Sequence, residues 1–218
     1  MYKNVFFDLD GTLLQTVHDI AIAINEALEK ADLPFHYSDE EVVRMIGNGA
    51  RVLVKRALGP KGDDDELLNH VESLYMPLYK KYQNDHAKPF DGMVETLTKL
   101  KKEGIRLFVI TNKPHALADY IVKYHFGDLF LEILGAKEDT PLKPNPYQVN
   151  LILDKYGLER KESLYVGDCY VDIDTGDNAG MDTCLCGYGY GVYDEPTISR
   201  ATYFIKEPKE LLGIILKQ

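Results

Sequence analysis

Residues 5–13, Val-Phe-Phe-Asp-Leu-Asp-Gly-Thr-Leu, decide how the rest of the chain is expected to fold. An apolar run that ends in Asp8 is typical of a strand buried on both faces, the usual state of a strand in a parallel sheet. Asp8 and Asp10 then lie at the carboxyl end of that strand, where ligands bind in open α/β sheets. Because Gly11 permits a sharp turn, we expect Asp8 to point into a site and Asp10 to swing over it.

The two neighbouring aspartates allow two interpretations. Asp-Gly is a common turn dipeptide, so one interpretation is a solvated turn. The other is a site for a divalent cation such as Mg²⁺, which prefers carboxylate and phosphate oxygens as ligands. Such a cation would cancel the repulsion between Asp8 and Asp10. The rest of the chain decides between them.

The composition excludes several classes of partner. A formal net charge of −10 over 218 residues argues against nucleic acid, whose phosphates attract basic surfaces. No apolar run approaches the roughly 20 residues of a membrane helix, and no signal peptide pattern precedes the first strand. Three cysteines without paired C-x-x-C spacing indicate neither a disulfide framework nor a zinc site. We therefore expect a reduced, cytoplasmic protein, and its oligomeric state stays open.

A helical segment follows the first turn. From about residue 16 to residue 84, apolar residues recur at helical spacing and no strand pattern interrupts them. Thr16 and Asp19 have the spacing of a capping box at the start of the first helix. Pro77 predicts a kink or break in the fourth helix. The segment is therefore predicted to be an all-helical insert of the bundle type.

Strands and helices alternate in the remainder of the chain. Strand patterns cover residues 105–110, 130–134, 164–166 and 183–186, with helical patterns between most of them. This alternation implies right-handed β-α-β crossovers and a parallel sheet with helices on both faces. The predicted fold is therefore α/β: a doubly wound, Rossmann-like core of residues 1–15 and 85–218. An all-α cap domain, residues 16–84, is inserted into its first crossover.

Polar side chains follow three of the predicted strands. Besides Asp8, these are Thr111-Asn112-Lys113 and Gly167-Asp168, with Asp172 four residues later. Parallel strands place these ends at one edge of the sheet, and a loop containing Lys143 lies nearby in the predicted order. An acidic cluster needs a cation, and a neighbouring lysine would hold the negative charge of a phosphoryl group. The pattern predicts a phosphoryl-transfer site.

These residues carry a family resemblance. Asp8-Leu9-Asp10-Gly11-Thr12, Thr111, Lys143, and Gly167-Asp168 with Asp172 resemble, in order, the four motifs of haloacid dehalogenase-superfamily phosphatases, over the whole chain. The resemblance implies Mg²⁺-dependent hydrolysis of a small phosphorylated metabolite through an aspartyl-phosphate. Asp10 argues against the dehalogenase members, which lack an acid there because a halide needs no proton.

The resemblance also implies a role for each residue. Asp8 would be the nucleophile, and Asp10 would protonate the leaving alcohol and then activate water. Asp8, the backbone carbonyl of Asp10, and Asp168 would hold Mg²⁺, and Asp172 would orient the water around the metal. Thr111 would bind a phosphoryl oxygen, and Lys143 would balance the charge on Asp8.

Within the superfamily, residues 46–59 and Thr111-Asn112-Lys113 resemble bacterial phosphoglycolate phosphatases. This implies that substrate contacts come from Asn48 and Arg51 in the cap and from Asn112 and Lys113 in the core. Arg51 or Lys113 would meet the carboxylate of 2-phosphoglycolate. The chain departs from these enzymes at Gln15-Thr16, where an acid followed by serine is usual.

Other activities share the same motifs. Inorganic pyrophosphatase, nucleotide monophosphatase and β-phosphoglucomutase have the same core and differ in the cap. A receiver-like signalling module would also combine an acidic pocket with a threonine and a lysine, but the acid Asp10 and the helical insert argue against it. The repeat Gly187-Tyr188-Gly189-Tyr190-Gly191 follows a late strand without a helix start, and we expect a mobile loop at the rim of the site.

Overall fold

The computed structural model describes residues 1–216, which form eight strands and ten α-helices. The strands are β1 (Asn4–Phe7), β2 (Leu14–Gln15), β3 (Lys88–Pro89), β4 (Arg106–Pro114), β5 (Glu132–Ala136), β6 (Ser163–Gly167), β7 (Asp182–Cys186) and β8 (Tyr203–Ile205). The helices are α1 (Val17–Lys30), α2 (Asp39–Val43), α3 (Ala50–Leu58), α4 (Asp65–Tyr82), α5 (Met93–Lys102), α6 (His115–Phe126), α7 (Tyr147–Tyr156), α8 (Tyr170–Ala179), α9 (Glu195–Arg200) and α10 (Glu210–Leu216). Within residues 1–216, none of these helices has both the length and the apolar character needed to cross a bilayer.

Six of the strands form one parallel sheet in the order β5-β4-β1-β6-β7-β8. The strand β1 lies near its middle, because Phe6 pairs with Phe108 of β4 on one side and with Tyr165 of β6 on the other. Helices cover both faces. The predicted doubly wound α/β fold is therefore confirmed, with β1 at its centre.

The apolar run of β1 is buried on both faces of the sheet. Val5 and Phe7 pack in the cluster that also contains residues of α5, α6 and α10. Phe6 points to the opposite face and packs with Phe108 and with Ile152 of α7. Each fully buried side chain of this kind contributes about 2–3 kcal/mol, so the run fixes β1 between two helical layers and places Asp8 at the sheet edge.

Helices α1 to α4 lie between β2 and β3 and have a separate hydrophobic core. Their core residues include Ile24, Leu28, Leu53, Val54, Val71 and Tyr75. The helix α4 continues through Pro77, so of the predicted kink or break the break is wrong, since packing against α1 and α3 outweighs local propensity. The antiparallel pair β2–β3 joins the two linkers of this helical unit; two-residue strands are too short to show periodicity in the sequence.

The start of α1 differs from the prediction. Thr16 is the N-cap residue, but its side chain makes no capping hydrogen bond. The buried carboxylate of Asp19 accepts hydrogen bonds from the backbone N–H groups of His86 (3.0 Å) and Ala87 (2.9 Å) instead. The predicted capping box is therefore wrong, because Asp19 ties the returning linker to α1. The strand expected at residues 130–134 also lies two residues later, at Glu132–Ala136.

Candidate active site

The carboxyl ends of three neighbouring strands bring the predicted polar residues together. Asp8 follows β1, Thr111 lies near the end of β4, and Asp168 follows β6. The backbone N–H of Asp8 still donates to Val166 in β6 at 2.9 Å, so Asp8 is fixed by the ladder of the sheet. All three side chains are buried.

A tight turn holds the first motif. The carbonyl of Leu9 accepts the N–H groups of Leu13 (2.9 Å) and Leu14 (3.1 Å), which folds the chain back over Asp8. Gly11 has a φ of +85°, and a Cβ atom there would lie 2.5 Å from Oδ2 of Asp168. Glycine is required at this position because the Asp168 carboxylate packs directly on the turn.

Lys143 is the buried cation of the site. Its Nζ lies 2.7 Å from Oδ1 of Asp8 and 2.7 Å from Oδ1 of Asp172. Burial alone would lower the pKa of Lys143, but these two carboxylates hold it well above its usual range. The lysine is therefore charged and keeps Asp8 next to a fixed positive group.

Asn112 positions the loop that carries this lysine. Its Oδ1 accepts from the backbone N–H of Lys143 at 2.8 Å, and its Nδ2 donates to the carbonyl of Lys143 at 3.1 Å. The same Nδ2 donates to the carbonyl of Gly47, between α2 and α3, at 3.0 Å. These bonds use the amide of Asn112 fully, so Asn112 joins core and helical unit and has no free donor for a substrate.

Asp168 and Asp172 are held by different donors. Asp168 accepts from the hydroxyl of Thr12 at 3.0 Å and from the backbone N–H of Tyr190 at 2.7 Å. Oδ2 of Asp172 accepts from the backbone N–H groups of Asp168 and Cys169 at 3.1 Å each, while Oδ1 faces Lys143. Both oxygens of Asp172 are therefore occupied by protein donors. This residue positions the ammonium group of Lys143 and caps the N-terminus of α8.

The buried charges of this edge do not balance. Four carboxylates, those of Asp8, Asp10, Asp168 and Asp172, face two ammonium groups. Burial raises the pKa of Asp8 to about 7, and it raises that of Asp168 well above its usual range. Carboxylates crowded in this way repel, which favours their protonated forms. With all four ionised, two negative charges would be left over, and a divalent cation would replace the protons and cancel those charges.

The structure also offers space for such a cation. Asp8, Asp10 and Asp168 line one small cavity of about 30 Å³, enough for about two water-sized groups. Cys169 and Asp172 form a second cluster of ligand atoms with Asp168, all within 4.8 Å of one another. Asp172 is fully buried and does not line the cavity, whereas Asp8 and Asp168 do, so these two carboxylates fit a cation better.

A second cavity, of about 40 Å³, adjoins Asp8 on the side of the helical unit. Its walls include Ile46, Leu53 and Tyr75 from that unit. Lys113 is its only cationic lining residue in the described part of the chain, with a side chain that is 1% exposed. The Nζ of Lys113 lies 3.1 Å from Oδ1 of Asp10 and 4.3 Å from the ring centre of Tyr79.

Two predicted substrate residues are not brought to the site. Arg51 donates to Asn69 at 2.8 Å and pairs with Glu72 at 2.6 Å, within the helical unit, and it lines neither cavity. Asn48 accepts from Arg56 at 2.8 Å and lies 3.5 Å from the hydroxyl of Tyr170. Arg51 faces away from the cavities because α3 turns its apolar residues into the core of the helical unit. Asn48 lies between α2 and α3, where it joins Arg56 to Tyr170 of α8.

Three residues make contacts at the site that the sequence did not predict, although Thr12 belongs to the first motif and Tyr190 to the loop expected at the rim. Thr12 holds Asp168, Tyr79 faces Lys113, and Tyr190 connects Asp168 with the start of α1. Tyr79 has ordinary helical core spacing, which gives no separate signal. The alternating glycines around Tyr190 were a signal, because a chain without side chains at every second residue can pack closely on another backbone.

Comparison with known proteins identifies the family of this chain. The family model described as haloacid dehalogenase-like hydrolase matches residues 5–186. A phosphoglycolate phosphatase of Aliivibrio fischeri is 33% identical over 98% of this chain and 96% of its own length. One of Mannheimia succiniciproducens is 32% identical over 98% of both chains.

A solved structure agrees as well. The crystal structure of a predicted phosphoglycolate phosphatase of Haemophilus somnus is 32% identical and covers 98% of this chain and 97% of its own, with a TM-score of 0.89. The chain therefore belongs to the haloacid dehalogenase-like hydrolases and is a phosphatase.

Proposed function

We propose that this phosphatase is a Mg²⁺-dependent hydrolase of a small, acidic phosphomonoester, 2-phosphoglycolate, and that it acts through an aspartyl-phosphate on Asp8. The observation that carries the proposal is the pairing of Asp8 with Lys143 at 2.7 Å, beside a cavity whose only cationic lining residue in the described chain is Lys113. The related phosphoglycolate phosphatases support the choice of substrate.

The first step is attack by a carboxylate oxygen of Asp8 on phosphorus. The bond between phosphorus and the ester oxygen breaks, and the leaving alkoxide takes a proton from Asp10. In the second step Asp10, now a carboxylate, takes a proton from water, and that water releases phosphate and regenerates Asp8. Thr111 accepts from the backbone N–H of Lys113 at 3.2 Å, which leaves its own hydrogen for a phosphoryl oxygen.

Mg²⁺ fits the surplus negative charge, and we assign its ligands to Asp8, the backbone carbonyl of Asp10, and Asp168. When bound, it would neutralise charge on the phosphoryl oxygens. Asp172 holds Lys143 and the start of α8, so its contribution to the metal is indirect. Lys143 balances the charge on Asp8 throughout.

The helical unit of residues 16–84 is proposed to act as a cap over the core of residues 1–15 and 85–218. Residues of this unit and of the core together line the two small cavities beside Asp8, which favours a small ligand. Lys113 is well placed to meet the carboxylate of 2-phosphoglycolate, because its ammonium group is buried and has one carboxylate partner, Asp10. Arg51 does not line the cavity and pairs with Asn69 and Glu72 instead, so we do not assign it this role.

The test is phosphate release with Mg²⁺ from 2-phosphoglycolate, pyrophosphate, nucleoside monophosphates, sugar phosphates and an aryl phosphate. We expect kcat/KM for 2-phosphoglycolate to exceed the others by at least about tenfold, which is about 1.4 kcal/mol of transition-state preference. Another preferred ester would overturn the substrate assignment alone. Turnover in Asp8→Asn, or a long-lived phosphoprotein with little turnover in the unaltered chain, would contradict the mechanism.

A further inference from the structure

The loop Gly187–Gly191 packs directly on the first motif. A Cβ atom at Gly189 would collide with the carbonyl of Gly11 and with the side chain of Asp168, and one at Gly191 would collide with the carbonyl of Asp168. The alternating glycines therefore let this loop lie against the turn beside Asp8. Between these glycines, Tyr188 and Tyr190 provide the side chains with which the loop contacts neighbouring segments.

Tyr190 makes contacts in two directions. Its backbone N–H donates to Oδ2 of Asp168 at 2.7 Å. Its hydroxyl accepts from the backbone N–H groups of Thr16 at 2.6 Å and of Val17 at 3.1 Å. One residue thus joins a carboxylate of the active site to the first residues of the cap.

The two N–H groups need a partner from outside α1. The first N–H groups of a helix have no acceptor within the helix, and the side chain of Thr16 makes no capping bond. Tyr190 supplies the missing acceptor across the domain boundary.

The returning linker depends on the same helix. Asp19, in the first turn of α1, accepts from the backbone N–H groups of His86 and Ala87. We use the word hinge for the two linkers, residues 14–17 and 86–89. Asp19 binds the second linker to α1, and the hydroxyl of Tyr190 binds the start of α1. The Tyr190 hydroxyl therefore holds the first linker directly and the second linker through α1.

We propose that Tyr190 is a positioning residue whose hydroxyl anchors the hinge to the loop that holds Asp168, so that the cap closes over Asp8 in one orientation. The proposal rests on the phosphatase mechanism given above. Without the hydroxyl the ring and the bond to Asp168 remain, but the start of α1 is free to move. Closure then becomes less favourable, while the chemistry in the closed state is unchanged.

The experiment compares Tyr190→Phe with Tyr188→Phe. Tyr188 belongs to the same loop, and its hydroxyl donates to the carbonyl of Thr12 at 3.3 Å, away from the hinge. Amide hydrogen exchange is read at Thr16 and Val17 by NMR. We expect exchange at these two amides to accelerate about fivefold or more in Tyr190→Phe, the equilibrium change typical of a lost helix cap, and to stay at the wild-type rate in Tyr188→Phe.

Kinetics supply the second measurement. If closure follows binding and the closed state predominates, a weaker closure raises KM by the same factor and leaves kcat unchanged. The Mg²⁺ concentration for half-maximal rate should not change, because the N–H of residue 190 still holds Asp168. Unchanged exchange at Thr16 and Val17, or an unchanged KM, overturns the inference. A wild-type chain that hydrolyses no ester overturns the phosphatase mechanism instead, while the exchange rates still test the hinge anchor.

Discussion

The ammonium group of Lys143 lies 2.7 Å from the carboxylate of Asp8, and both side chains are buried beneath the helical cap. In this arrangement the fixed positive charge is already in place before any substrate binds, so it costs no rearrangement during the reaction. The lysine comes from a loop separate from the strand that carries Asp8. Asn112 holds this loop in position through two hydrogen bonds to the backbone of Lys143.

Removal of this lysine should abolish most of the activity. We expect Lys143→Met to lower kcat by at least about 100-fold, the usual cost of losing a preorganised group at a charged centre. Lys155→Met, which removes an exposed ion pair to Glu132 at 2.8 Å, is the matched control and should keep wild-type kcat. Steady-state phosphate release measures both. Comparable losses in the two variants would contradict a specific role for Lys143.

The raised pKa of Asp8 predicts how pH and Mg²⁺ are linked. Burial raises this pKa from 3.8 to about 7, so between these values the folded chain binds more protons than the unfolded chain. The free energy of unfolding without metal therefore falls as the pH rises through that range. A divalent cation competes with the proton, and we expect Mg²⁺ to raise Tm more at about pH 8 than at about pH 5.5.

Thermal unfolding at both pH values, with and without Mg²⁺, measures this effect. Asp8→Asn lacks the titrating group and should show a smaller difference between the two Mg²⁺-induced shifts. Equal shifts in the unaltered chain at both pH values would exclude a proton-linked metal site at Asp8.

Asn112 should matter through position and not through substrate contact. Asn112→Ala removes two hydrogen bonds to the backbone of Lys143 and one to Gly47. We expect kcat/KM to fall about 10- to 100-fold, because small displacements of a reacting group are costly. Tyr170→Phe removes another contact between core and cap, the 3.5 Å contact with Asn48, and should change kcat/KM by less than about twofold. If Tyr170→Phe lowers kcat/KM as much as Asn112→Ala does, the loss of any contact between core and cap would account for the effect, and Asn112 would have no specific role in placing Lys143.

Lys113 and Arg51 should differ in their effect on specificity. Lys113→Met removes the buried ammonium from the cavity. We expect this to reduce the preference for 2-phosphoglycolate over an aryl phosphate that has no carboxylate by at least about tenfold, the value of one charged hydrogen bond. Arg51→Met should leave the preference unchanged, because Arg51 pairs with Glu72 outside the cavity. The ratio of kcat/KM for the two esters is the measurement. If kcat/KM falls by the same factor for both esters in Lys113→Met, Lys113 acts only through its ion pair with Asp10 and does not contact the substrate carboxylate.

The central sheet was predictable because β1, β4, β6 and β7 contain apolar runs buried within the sheet, and its parallel arrangement follows from the alternation with helices. The juxtaposition of Asp8, Thr111 and Asp168 followed from the same topology. These predictions depended on periodicity and on the parallel arrangement, both of which are visible in a single sequence.

The remaining features depend on contacts between distant residues. Asp19 had the spacing of a capping residue, but it binds the backbone of His86 and Ala87, which lie 67 and 68 residues away. Arg51 had the right charge for substrate binding, but Glu72 of α4 holds it outside the cavity. Spacing along a helix does not reveal which neighbouring element its side chains will meet.

The central position of β1 also sets an order of folding. Its residue Asn4 pairs with Arg106 and with Ser163, so the strand gains its neighbours only when distant parts of the chain arrive. Most of the buried hydrophobic residues that the cap helices pack against lie within residues 20–79 of the same segment. Contacts that are close in sequence form sooner than distant ones. The cap is therefore expected to fold before β1, the strand that leads to the reactive aspartate, has paired with β4 and β6.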